Sequence, residues 1–206
     1  REYIHGRIAT LMDMGFGFIK NDYNQPIVPG VNNYADELLE SMHAFYSFID
    51  EVRERYPRLI LENCGSGAMR EDYGLLSRFH IQSTSDQEIY YRYPSIITGT
   101  LANVLPEQAG IWAYPYPLLY KDLNNPEILY SSQYKEMMAD GEQTIFNMVN
   151  GFCGNMYVSG RIDLCDEYNL NLSSEAISLY KNKRSFIRNS YPVWPTGLCR
   201  ISSNGF

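Results

Sequence analysis

An α/β fold of the (β/α)8 barrel type, represented by part of its strands and helices, is the architecture this sequence predicts. Two observations carry the prediction. Short apolar runs alternate with helix-length amphipathic stretches five times along 206 residues, a pattern that implies parallel strands joined by right-handed helical crossovers. At least three successive runs also end in polar clusters, Asp22, Cys64 with Gly67, and Asp86, which is where a barrel gathers its chemistry on the C-terminal face. A doubly wound sheet also fits the alternation, but no Gly-x-Gly-x-x-Gly follows the first run and no phosphate-binding loop is present.

The chain opens at Arg1 inside a helical pattern, with Tyr3, Ile4, Ile8, Leu11 and Met12 at helical spacing. A native start upstream of Arg1 is therefore expected, and the chain reads as one fragment of a catalytic domain over residues 1–206. The first strand lies in Phe16-Gly17-Phe18-Ile19-Lys20-Asn21-Asp22-Tyr23-Asn24, an apolar run that stops at a lysine, a carboxylate and an amide. Gln25 to Asn33, with two prolines and a glycine, reads as an active-site loop. Tyr34 to Tyr56 is the clearest helix: Leu38, Leu39, Met42, Phe45, Tyr46, Ile49 and Val52 share a face, and Pro57 ends it. Arg58 to Glu62 forms the second strand and runs into Asn63-Cys64-Gly65-Ser66-Gly67.

A short helical piece over Met69 to Ser77 precedes a third strand, Phe79 to Thr84, that stops at Ser85-Asp86. Tyr90 to Leu105 reads as the next helix despite Pro94 and Gly99. Ala109 to Tyr114 is a fourth strand opening onto a Pro/Tyr-rich loop, Glu142 to Phe152 a helix, and Asn155 to Ser159 a fifth strand. Ser173 to Asn189 closes the pattern as an amphipathic helix with Ser173 as its N-cap.

Composition narrows the function classes. A net charge of −7 without clustered Lys and Arg argues against nucleic acid as a partner. No apolar run reaches the roughly 18 residues of a membrane span, and no signal peptide is visible, so no membrane partner is expected. Cys64, Cys153, Cys165 and Cys199 lack the paired short spacings of a zinc site and are too few for a disulfide scaffold; reduced thiols in a cytoplasmic protein are expected. His5, His43 and His80 have no ligand spacing and are read as core or surface residues. Trp112 and Tyr114 are read as packing before sugar stacking.

Three motifs taken in order carry a resemblance. Lys20-Asn21-Asp22-Tyr23-Asn24, then Glu62-Asn63-Cys64-Gly65-Ser66-Gly67-Ala68-Met69-Arg70, then Ser85-Asp86 resemble the strand-end motifs of glycoside hydrolase family 36, the microbial α-galactosidases. Met156 to Gly160 and the helix around Ser173 to Tyr180 resemble that family's last strand and helix, so the resemblance covers nearly the whole chain. It departs from the family at Ser83, where many members carry Trp, at Gln87-Glu88, where they carry Thr-Asp, and in a reduced glycine run, Gly65 to Ala68. These departures mark a divergent subgroup.

The resemblance implies strands 4 to 8 of the barrel and a retaining α-galactosidase, with Asp22 as nucleophile and Asp86 as general acid/base. It implies an α-galactoside oligosaccharide of the melibiose or raffinose type as substrate and a possible homo-oligomer of the full-length enzyme. Lys20 and Asn24 would hold substrate hydroxyls or orient Asp22, Cys64 and Gly67 would shape the sugar-site wall, and Arg70 would support that loop, with Arg92 a lesser candidate. An α-N-acetylgalactosaminidase, a raffinose-synthase-like transferase and a non-catalytic sugar-binding homologue are the alternatives. The first three barrel strands would be missing, so the chain alone is expected to be poorly active.

The chemistry fits the residue types. Retaining hydrolysis needs one carboxylate that stays ionised and a second that delivers a proton, about 5–5.5 Å apart. Lys20 would favour the ionised form of Asp22, while Glu88 or the ionised nucleophile would raise the pKa of Asp86. Two carboxylates suffice, so no metal or organic cofactor is expected.

Overall fold

A computed structural model describes residues 1–24, 34–87, 92–116 and 141–199. By its internal contacts the chain divides into two units, Arg1–Ser83 and Thr84–Phe206.

The first unit contains α1 (Glu2–Asp13), β1 (Phe18–Asp22), α2 (Tyr34–Arg55), β2 (Ile60–Cys64), α3 (Tyr73–Leu76) and β3 (Ile81–Ser83). β1 pairs in parallel with β2 from Phe18↔Ile60 through Lys20↔Glu62 to Asp22↔Cys64, and β2 pairs with β3 at Glu62↔Ile81 and Asn63↔Gln82. Because side chains alternate along a strand, Ile19 and Leu61 point one way and join Ile8, Ile49, Val52, Leu59, Leu75 and Phe79 in the core. Lys20, Asp22, Glu62 and Cys64 fall on the opposite face. Each large aliphatic side chain that the helices bury contributes roughly 1.5–3 kcal/mol, and that burial holds the register which sets the polar face.

β3 is shorter than the predicted Phe79 to Thr84, for a local reason. His80 donates its backbone N–H to Leu61 O at 3.0 Å, but its side-chain Nδ1 accepts the Leu61 N–H at 3.1 Å. A side chain thus takes a donor that a strand ladder would use. The short helix α3 is capped by Asp72, which accepts the Leu75 N–H at 2.9 Å.

His80 also makes this region sensitive to pH. Burial, and secondarily the Arg53 charge, hold its imidazole below its ordinary pKa, and only the neutral ring can accept at Nδ1. The unfolded chain therefore binds the proton first on acidification. The stabilisation is complete above about pH 6.5 and declines as pH falls through that value toward the lower folded pKa. The urea midpoint should drop between about pH 7.5 and pH 5.5, and His80→Gln should be less stable at the higher pH with a flatter profile; equal slopes in the two proteins would rule this out.

The second unit contains α4 (Tyr93–Thr100), β4 (Ala109–Tyr116), α5 (Glu142–Gly151), β5 (Asn155–Gly160), a 3-10 turn (Ile162–Leu164) and α6 (Glu167–Arg188). β4 and β5 are parallel, from Gly110↔Asn155 to Ala113↔Val158 and then, after a register shift, Tyr116↔Gly160. Pro115 lies in that shift; it has no N–H to give the ladder, so an irregularity is tolerated there. Ile111, Ala113 and Met148 are fully buried in this unit.

Two predicted helices change their bounds. The helix expected from Tyr90 to Leu105 is Tyr93–Thr100, with Pro94 in its first turn, where a missing N–H costs nothing. The last helix starts six residues before Ser173: Asp166 is the N-cap and accepts the Asn169 N–H at 2.8 Å, whereas the Ser173 hydroxyl bonds back to Asn169 O at 2.7 Å inside the helix. The Asn-rich first turns hid the start, because helix propensity there is low and the cap does the work. The proposed loop Gln25 to Asn33, Glu88 and Tyr90, and most of the Pro/Tyr-rich segment after β4 lie outside the described residues.

Candidate active site

In the first unit the parallel register, not sequence proximity, brings the polar groups together. Lys20 and Glu62 are Cα partners across β1 and β2, and Lys20 Nζ lies 3.5 Å from Glu62 Oε1. Glu62 is only 2% exposed while Lys20 keeps 29% of its side chain in solvent, so the carboxylate is the fixed member and the ammonium the one that faces out. Burial pulls the Lys20 pKa down, but the Glu62 carboxylate, with smaller help from Cys64 and Asp22, outweighs it and holds the amine above its ordinary value. Lys20 is accordingly a cation at neutral pH, ion-paired with Glu62 across the two strands.

Asp22 is the next residue on that face, exposed at the end of β1 and opposite the buried Cys64. The ladder continues one step further, with Tyr23 donating its N–H to Cys64 O at 3.3 Å. Beyond it the chain from Gly65 folds back sharply: Gly65 N–H donates to Gly67 O at 3.1 Å and Met69 N–H to Gly65 O at 3.1 Å. Ser66 and Gly67 take positive φ values of 45° and 81°. For Gly67 this conformation is free of strain, which accounts for glycine at that position.

Arg70 is held at two points. Its carbonyl accepts from Asn63 Nδ2 at 2.9 Å, and its guanidinium sits 4.6 Å from the centre of the Tyr23 ring, within the range of a cation–π contact. Gly65 lies against its aliphatic stem: a Cβ there would come within 3.2 Å of Arg70 Cγ and 3.3 Å of Tyr23 O. Beneath this arrangement Asn63 Nδ2 also donates to Gln82 Oε1 at 2.7 Å. Lys20, Asp22 and Cys64 thus share one face of β1 and β2, and Gly67 and Arg70 lie in the loop that follows, with Arg70 anchored by Tyr23 and Asn63. Asn24 is exposed at the end of the first described segment.

Asp86 belongs to the second unit, exposed, on a segment where the Gln87 N–H donates to Ser85 Oγ at 3.1 Å. Two residues before it, Thr84 is buried and bonded to β4. Arg92 is exposed and precedes α4. Trp112 stacks with Tyr114 at 6.2 Å and meets Tyr157 edge-on at 5.2 Å, so its ring is engaged in packing within this unit.

Sequence reading included Tyr23 and Asn63 in its motifs without giving either a role, and did not single out Gln82, which pairs with Asn63. Nothing local distinguishes them: a cation–π partner and a buried amide pair become visible only when the strands are in register. Among the described residues no three His, Cys, Asp or Glu side chains are gathered as metal ligands, and no helix is long and apolar enough to cross a membrane. All four cysteines are free thiols.

With this geometry in hand, comparison with known proteins gives a consistent result. The Melibiase family model matches residues 1–105, which contain all three strand-end motifs. The α-galactosidase of Escherichia coli is 30% identical over 110 residues, 53% of this chain and 16% of that protein. Among solved structures, a doubly substituted variant of the family 36 α-galactosidase AgaA of Geobacillus stearothermophilus in complex with raffinose superposes with a TM-score of 0.69 at 17% identity, over 91% of this chain and 25% of that one. The α-galactosidase of Lactobacillus brevis superposes with a TM-score of 0.67 at 18% identity, over 91% of this chain and 24% of that one. The chain spans about a quarter of the length of those structures and less of the curated relative; the structural likeness is one of fold, part of a (β/α)8 barrel. On the match of a family model to half its length, with parallel strands and alternating helices like those of family 36 α-galactosidases, the chain belongs to the Melibiase family.

Proposed function

We propose that this chain supplies the nucleophile and the acid/base of a retaining α-galactosidase acting on terminal α-galactosyl residues of raffinose-type oligosaccharides. The observation that carries the reading is the Lys20–Asp22 and Glu62–Cys64 face of the first unit, in a chain whose family match includes all three motifs. In the first step an Asp22 oxygen attacks the anomeric carbon, the glycosidic bond breaks, and the departing oxygen takes the proton of Asp86. In the second, water attacks the same carbon, Asp86 takes its proton, and the bond to Asp22 is released with the configuration restored.

The supporting residues have distinct tasks in this scheme. Lys20, anchored by Glu62, offers N–H donors to a sugar hydroxyl and adds positive potential beside Asp22. Asn24 offers a further polar contact. Cys64 and Gly67 leave room for the ring, because both are small, and Arg70 is stiffened by Tyr23 and Asn63. The raffinose found in the Geobacillus stearothermophilus enzyme supports the choice of substrate.

The test is made on the complete enzyme that carries this chain. Freshly released galactose should appear first as the α-anomer, followed by NMR during turnover. Asp86→Ala should lower kcat/KM for raffinose about 10²–10⁴-fold, while a dinitrophenyl α-galactoside, whose leaving group needs no proton, should lose far less. A first-formed β-anomer would overturn the retaining assignment, and equal losses on both substrates would remove Asp86 from the acid/base role.

A further inference from the structure

We propose that Tyr93, acting through Thr84, is a positioning residue for the Asp86 carboxyl; the inference rests on the acid/base role proposed above for Asp86. Tyr93 opens α4 and is 1% exposed, and Thr84 is 3% exposed. The Thr84 hydroxyl donates to Gly110 O at 2.8 Å, the Trp112 N–H donates to the Tyr93 oxygen at 3.1 Å, and the two hydroxyl oxygens are 3.0 Å apart.

These three contacts determine the direction of the chain of hydrogen bonds. A threonine hydroxyl has one hydrogen, and Thr84 gives its hydrogen to Gly110. The hydrogen between the two side chains must therefore belong to Tyr93, which donates to Thr84 and accepts from Trp112. Burial raises the Tyr93 phenol above its ordinary pKa, and the Asp86 charge acts in the same direction; the hydrogen bond from the Trp112 N–H offsets part of this. The phenol remains a neutral donor at neutral pH.

The consequence falls on Asp86. Thr84 stands two residues before it, and the Ser85 hydroxyl closes the turn after Thr84 by accepting the Gln87 N–H. The backbone carrying Asp86 is thus tied to β4 at Gly110 and Trp112 through two buried hydroxyls, while its own side chain is exposed. Without the phenol oxygen, Thr84 loses its donor and Trp112 N–H loses this acceptor. A catalytic group displaced by a fraction of an ångström loses proton-transfer efficiency without losing its identity.

The experiment measures kcat/KM of the complete enzyme on raffinose and on a dinitrophenyl α-galactoside for Tyr93→Phe, Thr84→Val, Thr84→Ser and Asp86→Ala. Tyr93→Phe should lower the raffinose value about tenfold and leave the dinitrophenyl value nearly unchanged. Thr84→Val should do the same, and Thr84→Ser, which keeps the hydroxyl, should retain near wild-type values on both. Because the two hydroxyls act as one unit, the double variant Tyr93→Phe/Thr84→Val should lose little more than either single one. A merely structural role would depress both substrates alike, and that result, or no loss at all, would overturn the proposal. If Asp86→Ala itself discriminates between the substrates and Tyr93→Phe does not, the positioning role fails while the acid/base role stands; if Asp86→Ala does not discriminate, both fall.

Discussion

Asp22→Gly in the complete enzyme is expected to reduce turnover on the order of 10⁴-fold, the scale seen when a group that acts directly in covalent catalysis is removed. The fold should tolerate the change, since Asp22 is exposed at the last position of β1 and lies outside the first unit's core. Glycine in a strand end costs roughly 0.5–1 kcal/mol, too little to unfold a typical domain. Loss of rate with retained stability would therefore locate the effect in the chemistry. Azide then supplies the decisive readout. With an activated aryl α-galactoside, the small anion fits the space the carboxylate leaves and attacks from the same side, so one displacement occurs in place of two. The product should be a β-galactosyl azide, of inverted configuration, formed at a rate that rises with azide concentration. Unchanged turnover of α-galactoside by Asp22→Gly would remove Asp22 from the mechanism, and an α-galactosyl azide would contradict attack from the vacated side.

The largest effect on stability is expected at Gly160, the last residue of β5. Its φ is +97°, and a Cβ placed there would lie 1.9 Å from Tyr116 O and 3.1 Å from the carbon of the same carbonyl. Both atoms are backbone and cannot rotate away, and that oxygen already accepts the Arg161 N–H at 3.0 Å. Gly160→Ala thus combines the strain of a left-handed alanine, about 1–3 kcal/mol, with displacement of the β4–β5 pairing at its C-terminal end. A loss of about 3–5 kcal/mol is expected, at the upper end for point substitutions. Gly99→Ala is the internal control: it lies within α4, with nothing within 4 Å of the added methyl, and should stabilise by about 0.4–1 kcal/mol. Urea midpoints of the two variants should move in opposite directions, and movement in the same direction would refute the account.

Helices and strands differed in how fully they could be read beforehand. The helix from Tyr34 was legible because its apolar positions repeat at helical spacing and Pro57 stops it; the structure ends it at Arg55. β1 was legible from the glycine before it and the polar cluster after it. β3 was overestimated, since the His80 side chain competes for the Leu61 N–H, and no strand propensity registers such a competition. The start of α6 was misread because an aspartate cap seven residues upstream of Ser173 outweighs the weak propensity of Asn169 and Asn171. Near Asp22, Lys20 was expected to hold a substrate hydroxyl or orient the carboxylate; the structure adds an ion pair at 3.5 Å with Glu62, more than forty residues away in the chain.

The order of strand-end motifs, the alternation of strand and helix, and the residue types available for two-carboxylate chemistry are properties of the sequence by itself. They depend on local periodicity and on side-chain chemistry, which need no partner to be recognised. Only the tertiary structure decided that Lys20 faces Glu62, that Tyr23 lies under Arg70, and that the Tyr93 hydroxyl supports Thr84. Each of these contacts joins residues from different elements, and their meeting is set by strand register and helix burial. A shift of one residue in the β1–β2 pairing would turn Lys20 and Asp22 away from Glu62 and Cys64, with the sequence unchanged.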